Sequence, residues 1–354
     1  MGVIIRQSVK TTLLNYAGII IGAVNTIILY PLVLEPEAFG LMQNLLGKAS
    51  LLSNVLLFGT GTSVIRFFPT FENKENRHNG LLALLLLFPL IMACLLASVF
   101  WLWGEEVALL LQFTPNELLQ NYAWLVLPLS LLMAWNMLLF YFPKNFLRTA
   151  VPAFFEQVVV KLASLGIAVA YFWQWITMTV FFNSLLIVFA VPTLSLMGYI
   201  HHQGHFTWRI NWSFLKTDGA KGLLGFSFVY WLGSIAAASR TYIAPAFLAD
   251  MVGDGGLVLQ AAFAPAFYIA TAIAIPGKSI DAILSAFTAR YVKEEDWLPL
   301  GVLYKKAANH QFLLGVLLLV PLTLACTTCS VSCPMAINMP LDIPPPSSWG
   351  RLAS

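Results

Sequence analysis

Several stretches of this sequence run for about 20 residues without a charged side chain, and a helix of that length crosses the hydrocarbon core of a bilayer. The clearest are Gly80–Trp103, Leu119–Phe142 and Ile176–Ile200. Of the 354 residues, 59% are hydrophobic and 10% are charged, and mean hydropathy is +0.80. A soluble domain carries roughly 25% charged residues. The sequence therefore predicts an all-α polytopic membrane protein and disfavours a soluble enzyme or a nucleic-acid-binding domain.

We predict about nine transmembrane helices from these apolar stretches. The predicted spans are Thr11–Val33, Leu41–Ile65, Gly80–Trp103, Leu119–Phe142, Pro152–Phe172, Ile176–Ile200, Leu223–Leu248, Gly256–Ala286 and Gln311–Ala325. The eighth is too long for one straight helix, so we expect a break at Pro276 and Gly277.

The loops between the predicted spans carry different charges on alternate sides of the membrane. One set is basic: Arg6, Lys10, Arg66, Lys74, Arg77, Lys144, Arg148, Arg209, Lys216, Lys221, Arg290, Lys293, Lys305 and Lys306. The other set is acidic, without Lys or Arg: Glu35, Glu37, Glu105, Glu106, Glu117, Asp250 and Asp254. Because cytoplasmic loops are enriched in Lys and Arg, we expect a cytoplasmic N-terminus.

The span order predicts two lobes in a two-bundle transporter fold. Residues 1–200 form a first lobe of six helices, 201–222 a cytoplasmic linker, and 223–325 an incomplete second lobe. A weak repeat supports this division, because an acidic turn followed by Gly-Leu comes after both the first and the seventh predicted span.

Composition changes abruptly after Ala325. Residues 326–354 contain Cys326, Cys329, Cys333 and a Pro-rich stretch, and we expect an aberrant, non-helical tail. No histidine or acid adjoins the Cys-x-x-Cys pair, so we expect no metal site and no cofactor. Since the second lobe stops after about three helices where six are expected, we also expect the chain to be truncated.

Ionisable residues inside predicted spans are candidates for function, because each is costly in a membrane. They are Lys48, Lys161, Arg240, Lys278, Glu156 and Asp281. Lys161 and Arg240 lie near the middles of their spans, where a side chain does not easily reach the interface. Since basic residues outnumber acidic ones, we predict a cationic cavity in which Lys48, Lys161, Arg240 and Lys278 bind an anionic substrate.

Other polar residues in the spans have two interpretations. Asn25 and Asn44 are candidates for hydrogen bonds to sugar hydroxyls, and helix–helix hydrogen bonding is the alternative for each. Lys278 and Asp281 are three residues apart, so they also fit mutual neutralisation. Glu156 fits pairing with Lys161 or Arg148. The predicted spans contain no histidine, which argues against a membrane acyltransferase, and we predict no enzymatic activity.

Two regions of the sequence resemble the polysaccharide-transport family of flippases for lipid-linked oligosaccharides of the O-antigen type. This family belongs to the superfamily of multidrug and oligosaccharidyl-lipid exporters. The resemblance is carried by Arg6-Gln7-Ser8, Tyr16-Ala17-Gly18, Gly22-Ala23-Val24-Asn25, Leu29-Tyr30-Pro31, Glu37-Ala38-Phe39-Gly40-Leu41, Ser63-Val64-Ile65-Arg66-Phe67-Phe68-Pro69, Ala266-Phe267-Tyr268-Ile269-Ala270, Ile275-Pro276 and Ala289-Arg290. It covers roughly Met1 to Val320 and is most specific in the first two predicted helices.

The resemblance implies twelve to fourteen helices around a central cation-lined cavity, in the cytoplasmic (inner) membrane of a bacterium. The implied substrate is an undecaprenyl-diphosphate-linked oligosaccharide, moved by alternating access, with membrane lipids and glycan-assembly proteins as partners. The family's intracavity Arg and Lys bind the diphosphate, a role carried here to Lys48, Lys161 and Arg240 by their position. The alternatives are a drug or small-anion exporter of the same superfamily, a non-functional remnant, and a membrane glycan polymerase.

Overall fold

A computed structural model describes residues 2–71, 80–104, 117–146, 150–207, 218–251, 255–273 and 297–332. Every regular element in these ranges is helical. The α-helices are α1 Gly2–Ala23, α2 Tyr30–Val33, α3 Pro36–Leu57, α4 Thr60–Phe71, α5 Leu81–Leu102, α6 Glu117–Tyr122, α7 Val126–Tyr141, α8 Ala150–Phe154, α9 Val160–Phe172, α10 Met178–His202, α11 Asp218–Met251, α12 Gly256–Ile273 and α13 Trp297–Ser332. Short π- and 3₁₀-helical segments join several of them into longer helices.

Five helices in the described residues are long and apolar enough to cross a membrane. They are Leu13–Val33, Leu81–Val99, Ala123–Phe146, Ala150–Phe172 and Met178–His202. Two shorter apolar helices, Gly225–Ser239 and Gly256–Thr271, fall on α11 and α12. The protein is therefore an all-α, multi-pass membrane protein, as the sequence predicts, whereas the count of nine spans stays a prediction.

The second predicted span, Leu41–Ile65, is not one continuous helix. It is divided between α3 and α4 by Phe58 and Gly59, whose φ angles are 48° and 69°. This left-handed backbone ends α3. The Thr60 hydroxyl then donates to the Leu57 carbonyl at 2.6 Å, and the Ser63 hydroxyl donates to the Gly59 carbonyl at 2.8 Å. The break satisfies its own backbone groups inside an apolar bundle, as a membrane protein requires.

Two of the long helices contain a π-helical segment. Val24–Leu29 joins α1 to α2, and Phe155–Val159 joins α8 to α9. A π-segment carries an extra residue in its turn and occurs frequently at functional sites. The two segments belong to neighbouring helices, since α1 packs along Phe155–Val159 and α9 contacts Val24–Leu29.

The chain forms two compact units, Met1–Tyr268 and Ile269–Ser354. In the first unit, α3 lies between α7 and α11, which are its main neighbours. Its buried apolar residues form two clusters. One joins the end of α3 to α4, α5, α7 and the end of α10, and the other joins the start of α3 to α2, α10 and α12. The predicted lobe boundaries at residues 200 and 223 stay predictions.

The first residues after Ala325 do not have the predicted structure. Residues 326–332 were expected to be non-helical, but α13 continues through them to Ser332. Cys, Thr, Ser and Val do not interrupt a helix, and the first proline after them is Pro334. Residues 333–354 lie outside the described residues, as do 208–217 of the predicted linker and the expected break at Pro276-Gly277.

Candidate functional site

A cavity of about 290 Å³ lies beside the break between α3 and α4. It is open on one side and is lined by residues of four helices, α3, α4, α7 and α11. Its lining residues are Asn54, Leu57, Gly59, Gly61, Thr62, Met137, Tyr141, Tyr230, Ser234, Ala237 and Ala238. We call this space the helix-break cavity.

The break is fixed against α11 on one side of the cavity. A Cβ atom on Gly59 would collide with the backbone oxygen of Ser227, so only glycine allows this approach. The Ser227 hydroxyl donates to Ser63 Oγ at 2.7 Å, and Trp231 Nε1 donates to the Val55 carbonyl at 3.2 Å. Phe58 packs on Trp231 with ring centroids 5.0 Å apart. The lining of the cavity is therefore held by a rigid contact between two elements far apart in sequence.

The wall of the helix-break cavity is uncharged and mainly apolar, with a few polar groups. It presents the hydroxyls of Thr62, Tyr141, Tyr230 and Ser234 and the amide of Asn54. Tyr141 is hydrogen-bonded to the Thr62 side chain, and its ring lies where a side chain on Gly61 would be, 2.8 Å from that position. Asn54 Nδ2 donates to the Ser50 carbonyl of its own helix at 2.8 Å. Ser234 Oγ likewise donates to the Trp231 carbonyl of its own helix at 2.9 Å, so most polar groups of the lining are hydrogen-bonded within the protein.

Two basic side chains lie one helical turn from this wall, on the same helix faces. Arg66 follows Thr62 by four residues on α4, and Lys144 follows Tyr141 by three. The Arg66 guanidinium lies over the Phe226 ring at 4.4 Å, and Phe226 stacks on Tyr230. Lys144 Nζ lies over the Tyr141 ring at 4.3 Å. Both cations are thus held against aromatic rings at one end of the cavity.

Both cations come from the same end of the bundle. Phe68, two residues after Arg66, packs edge-on against Phe146, two residues after Lys144, with centroids 5.1 Å apart. The sequence assigned Arg66 and Lys144 to the basic loop set and not to the cavity. Their positions four and three residues beyond polar lining residues are a signal that the sequence does contain, but only the fold shows which polar residues line a cavity.

Lys161, predicted to bind substrate, is held in a contact between α1 and α9. Its Nζ donates to the Gly18 carbonyl at 2.6 Å and to Gln157 Oε1 at 3.2 Å. Both acceptors are neutral, so these bonds satisfy two of the three ammonium donors without cancelling the charge. Among the described residues, Lys161 is not one of those that line the helix-break cavity.

Two glycines allow the helices to meet closely around Lys161. A Cβ atom on Gly18 would lie 2.6 Å from Gln157 Cβ, and one on Gly22 would lie 3.2 Å from Lys161 Nζ. Their spacing of four residues is the one that lets membrane helices approach closely. The same Gly22 faces Tyr268 of α12, whose hydroxyl donates to the Ile19 carbonyl at 2.9 Å.

Asn25 belongs to this contact as well. It is buried within the π-segment Val24–Leu29, and its Nδ2 donates to the Lys161 backbone oxygen at 2.8 Å. One turn further, the Tyr30 hydroxyl donates to Ser164 Oγ at 2.9 Å. We call the set of Gly18, Asn25, Tyr30, Gln157, Lys161, Ser164 and Tyr268 the Lys161 cluster. Most of its polar groups bond across helices, which is the alternative interpretation of Asn25, although Asn25 Oδ1 has no hydrogen-bond partner among the described residues.

Asn44 makes a buried hydrogen bond between α3 and α12. Its Nδ2 donates to Gln260 Oε1 at 3.1 Å, and both residues are almost fully buried. One turn away, a Cβ atom on Gly40 would collide with the Leu257 carbonyl, so the two helix ends touch through their backbones. Asn44 Oδ1 has no hydrogen-bond partner among the described residues. Asn44 thus joins two helices and does not line the helix-break cavity.

The structure describes some of the remaining candidate residues in full and others only in part or not at all. Glu156 is exposed within its π-segment and within electrostatic range of Lys144 and Lys161. Lys48 is half-buried on α3 and interacts with a neighbouring group. Arg240 lies on α11, but its side chain is outside the described part of the chain. Lys278 and Asp281 fall in residues 274–296 and also lie outside it.

Comparison of the chain with family models, curated proteins and solved structures gives no match.

Proposed function

We propose that this protein is a flippase that moves an undecaprenyl-diphosphate-linked oligosaccharide across the bacterial cytoplasmic membrane by alternating access. The substrate is made on the cytoplasmic side and is released outward for surface polysaccharide or lipopolysaccharide synthesis. Membrane lipids and glycan-assembly proteins are the proposed partners.

One observation carries this proposal: a cavity with an uncharged lining, which includes several hydroxyls, has Arg66 and Lys144 one turn from its wall. A lipid-linked oligosaccharide has the same order of groups, with hydroxylated sugars joined through a diphosphate to an apolar chain. A diphosphate in a low-dielectric interior needs compensating positive charge, since its desolvation is otherwise too costly. Glu156 offsets part of the charge of Lys144. Because Arg66 adds a second positive charge, this end of the cavity remains basic.

The cavity wall separates this proposal from export of cationic, apolar drugs. Such a substrate would find no carboxylate among the lining residues to pair with its positive charge. A small anion is compatible with the cations but leaves the hydroxylated wall unused. The lining therefore favours the lipid-linked glycan.

The test is transport by the purified full-length chain in proteoliposomes. A fluorescent undecaprenyl-diphosphate oligosaccharide is placed in both leaflets, and a membrane-impermeant quencher reports its arrival in the outer one. We expect protein-dependent flipping, reduced at least tenfold in Arg66→Gln/Lys144→Gln. Lys305→Gln/Lys306→Gln removes the same charge from exposed positions of α13 and should retain the wild-type rate.

Failure of the wild-type protein to move this lipid, in vesicles where it is folded and correctly inserted, contradicts the proposal. If the same vesicles accumulate a small anion instead, the exporter alternative replaces it.

A further inference from the structure

We propose that the contact between the start of α3 and the start of α12 is a gate, held closed by the hydrogen bond between Asn44 and Gln260. This inference rests on the proposed function, because a gate serves a protein that moves a substrate through itself. It places the gate next to the acidic turns that precede both helices, at the external end of the bundle in the predicted orientation.

The first argument is that the two amides occupy equivalent positions of the sequence repeat. An acidic turn leads into Gly40-Leu41 at the start of α3 and into Gly256-Leu257 at the start of α12. Asn44 lies three residues after the first Gly-Leu pair, and Gln260 lies three residues after the second. A side chain that bonds its own equivalent lies on the twofold axis that relates two copies of a unit, so the repeat axis passes between these amides.

The second argument is that both helices bury the same positions of the repeat. In α3 the glycine, the leucine, the amide residue and the residue after it are all buried, and the same four positions are buried in α12. A Cβ atom on Gly40 would collide with the Leu257 carbonyl, and the bond from Asn44 to Gln260 lies one turn further along both helices. The contact therefore has the approximate symmetry expected where two parallel repeats meet.

The third argument is what such a contact does when access alternates. Transporters built from repeats open by rocking one repeat or bundle against the other around a fixed site. A contact on the repeat axis at one end of the bundle must part when that end opens, whereas a contact within one repeat persists. Asn136, which donates to Thr193 Oγ1 at 2.8 Å, joins α7 to α10 inside the predicted first lobe and belongs to the persistent kind.

The fourth argument is the incomplete hydrogen bonding of the pair. Asn44 and Gln260 are almost fully buried, and Asn44 Oδ1 has no partner among the described residues. A buried amide oxygen without a partner is unfavourable, and water would satisfy it when the contact opens. Two leucines would instead expose apolar surface on separating, which favours the closed contact. The amide pair thus joins the helices in one register and still allows them to part.

The experiment links the two helices reversibly and measures flipping by the purified full-length chain in proteoliposomes. Native cysteines are first replaced by serine, at Cys94, Cys326, Cys329 and Cys333. Asn44→Cys/Gln260→Cys is then bridged with a short bis-methanethiosulfonate. We expect the bridge to reduce flipping of the fluorescent undecaprenyl-diphosphate oligosaccharide at least tenfold relative to the unbridged variant, and dithiothreitol to restore it.

The matched control is Asn136→Cys/Thr193→Cys, bridged with the same reagent in the same background. It also replaces a hydrogen-bonded pair between two helices, but both of these helices belong to the predicted first lobe. Its flipping rate should stay within about twofold of its own unbridged form.

A pair of variants without engineered cysteines tests the chemistry of the contact. Asn44→Leu/Gln260→Leu should slow flipping at least fivefold while the protein unfolds at a higher temperature, because the closed contact becomes apolar. The exchange Asn44→Gln/Gln260→Asn keeps both amides and should retain flipping within about threefold of wild type. A contact that only joined helices would let the leucine variant gain stability without losing transport.

Two results overturn the gate. One is a bridged Asn44→Cys/Gln260→Cys variant that flips as fast as its unbridged form; the other is a leucine variant that flips as fast as wild type. In both cases the proposed function stands, because the lipid still moves. If the wild-type protein does not move the lipid, labelling of Asn44→Cys by a membrane-impermeant maleimide decides between the two claims. Labelling would show that the gate opens and that the proposed function is wrong, and its absence would contradict both.

Discussion

The helix-break cavity and the Lys161 cluster contain the same kinds of side chain, namely tyrosine, serine, asparagine or glutamine and a nearby lysine. In the cluster, these groups bond one another and the carbonyls of Gly18, Ile19 and Lys161. In the cavity, Ser234 donates to the Trp231 carbonyl of its own helix, and Ser234 and Tyr230 border open space and not another helix. The comparison teaches that a polar residue within a membrane span joins helices where two backbones meet and bonds its own helix beside open space where they separate.

Glycine has opposite consequences in the two regions. Gly18 and Gly22 lie within a continuous helix and bring α1 close to its neighbours, so no space remains between them. Gly59 has a positive φ and interrupts a helix, and the space lies beside the interruption. The following predictions test this difference, beginning with the largest expected effect.

Replacing Gly59 by alanine should destabilise the protein by about 2–6 kcal/mol. The new Cβ strains a left-handed backbone and collides with the Ser227 carbonyl, two costs of about 1–3 kcal/mol each. Unfolding of the purified protein in mixed micelles, followed by circular dichroism, measures the change.

Gly225→Ala is the control, because it lies on the same helix as Ser227 and its Cβ would meet nothing within 4 Å. It should be neutral or slightly stabilising, since alanine is the better helix former. Equal losses in the two variants would mean that the break is not a constrained contact.

Replacing Lys161 by methionine should lower stability by about 1–2 kcal/mol and leave the flipping rate within about twofold of wild type. The substitution removes the bonds to Gly18 and Gln157, which are charge-assisted, but removes nothing from the cavity wall. Lys144→Met should do the reverse, reducing flipping with little change in stability. Proteoliposome transport and micelle unfolding of both variants give the comparison.

The sequence alone predicted that Lys161 would bind substrate. If Lys161→Met stops transport while its stability is unchanged, that role is correct and the distinction between cluster and cavity fails at this residue.

The smallest effect should be the coupling between Asn44 and Gln260. Polar pairs between membrane helices contribute about 0.6 kcal/mol on average in double-mutant cycles. We expect a coupling energy of this size from Asn44→Ala, Gln260→Ala and the double variant, measured by unfolding. A coupling energy near zero would remove Asn44 from the helix-joining residues and return it to the candidates for ligand binding.

The positions of the long helices could be predicted because apolar stretches extend over whole spans. Pro152–Phe172 was predicted and Ala150–Phe172 is observed, and Ile176–Ile200 corresponds to Met178–His202. The break at Phe58-Gly59 was not predicted, because the apolar stretch continues through it and a single glycine does not signal a left-handed turn. The run of apolar residues reflects burial in the membrane, and it carries no information about backbone conformation within a span.

The candidate site was harder to predict for a different reason. Lys161, Gly18 and Tyr268 are far apart in the sequence, so no local pattern shows that they meet. Arg66 and Lys144 stand at span ends, where the positive-inside rule already accounts for a basic residue. Position along a span could be read from the sequence, whereas the face of the helix that meets a partner could not.

The π-segment Val24–Leu29 also fixes the rotation of one part of its helix relative to the other. Each residue turns an α-helix by about 100°, so deleting one residue there, such as Thr26, would convert the segment to regular α-helix and rotate Tyr30 by about that angle. Tyr30 would then leave Ser164, while Gly18 and Gly22 kept their contacts. The extra residue thus sets the rotation about the helix axis that lets Gly18 and Tyr30, at the two ends of the segment, contact the same neighbouring helix.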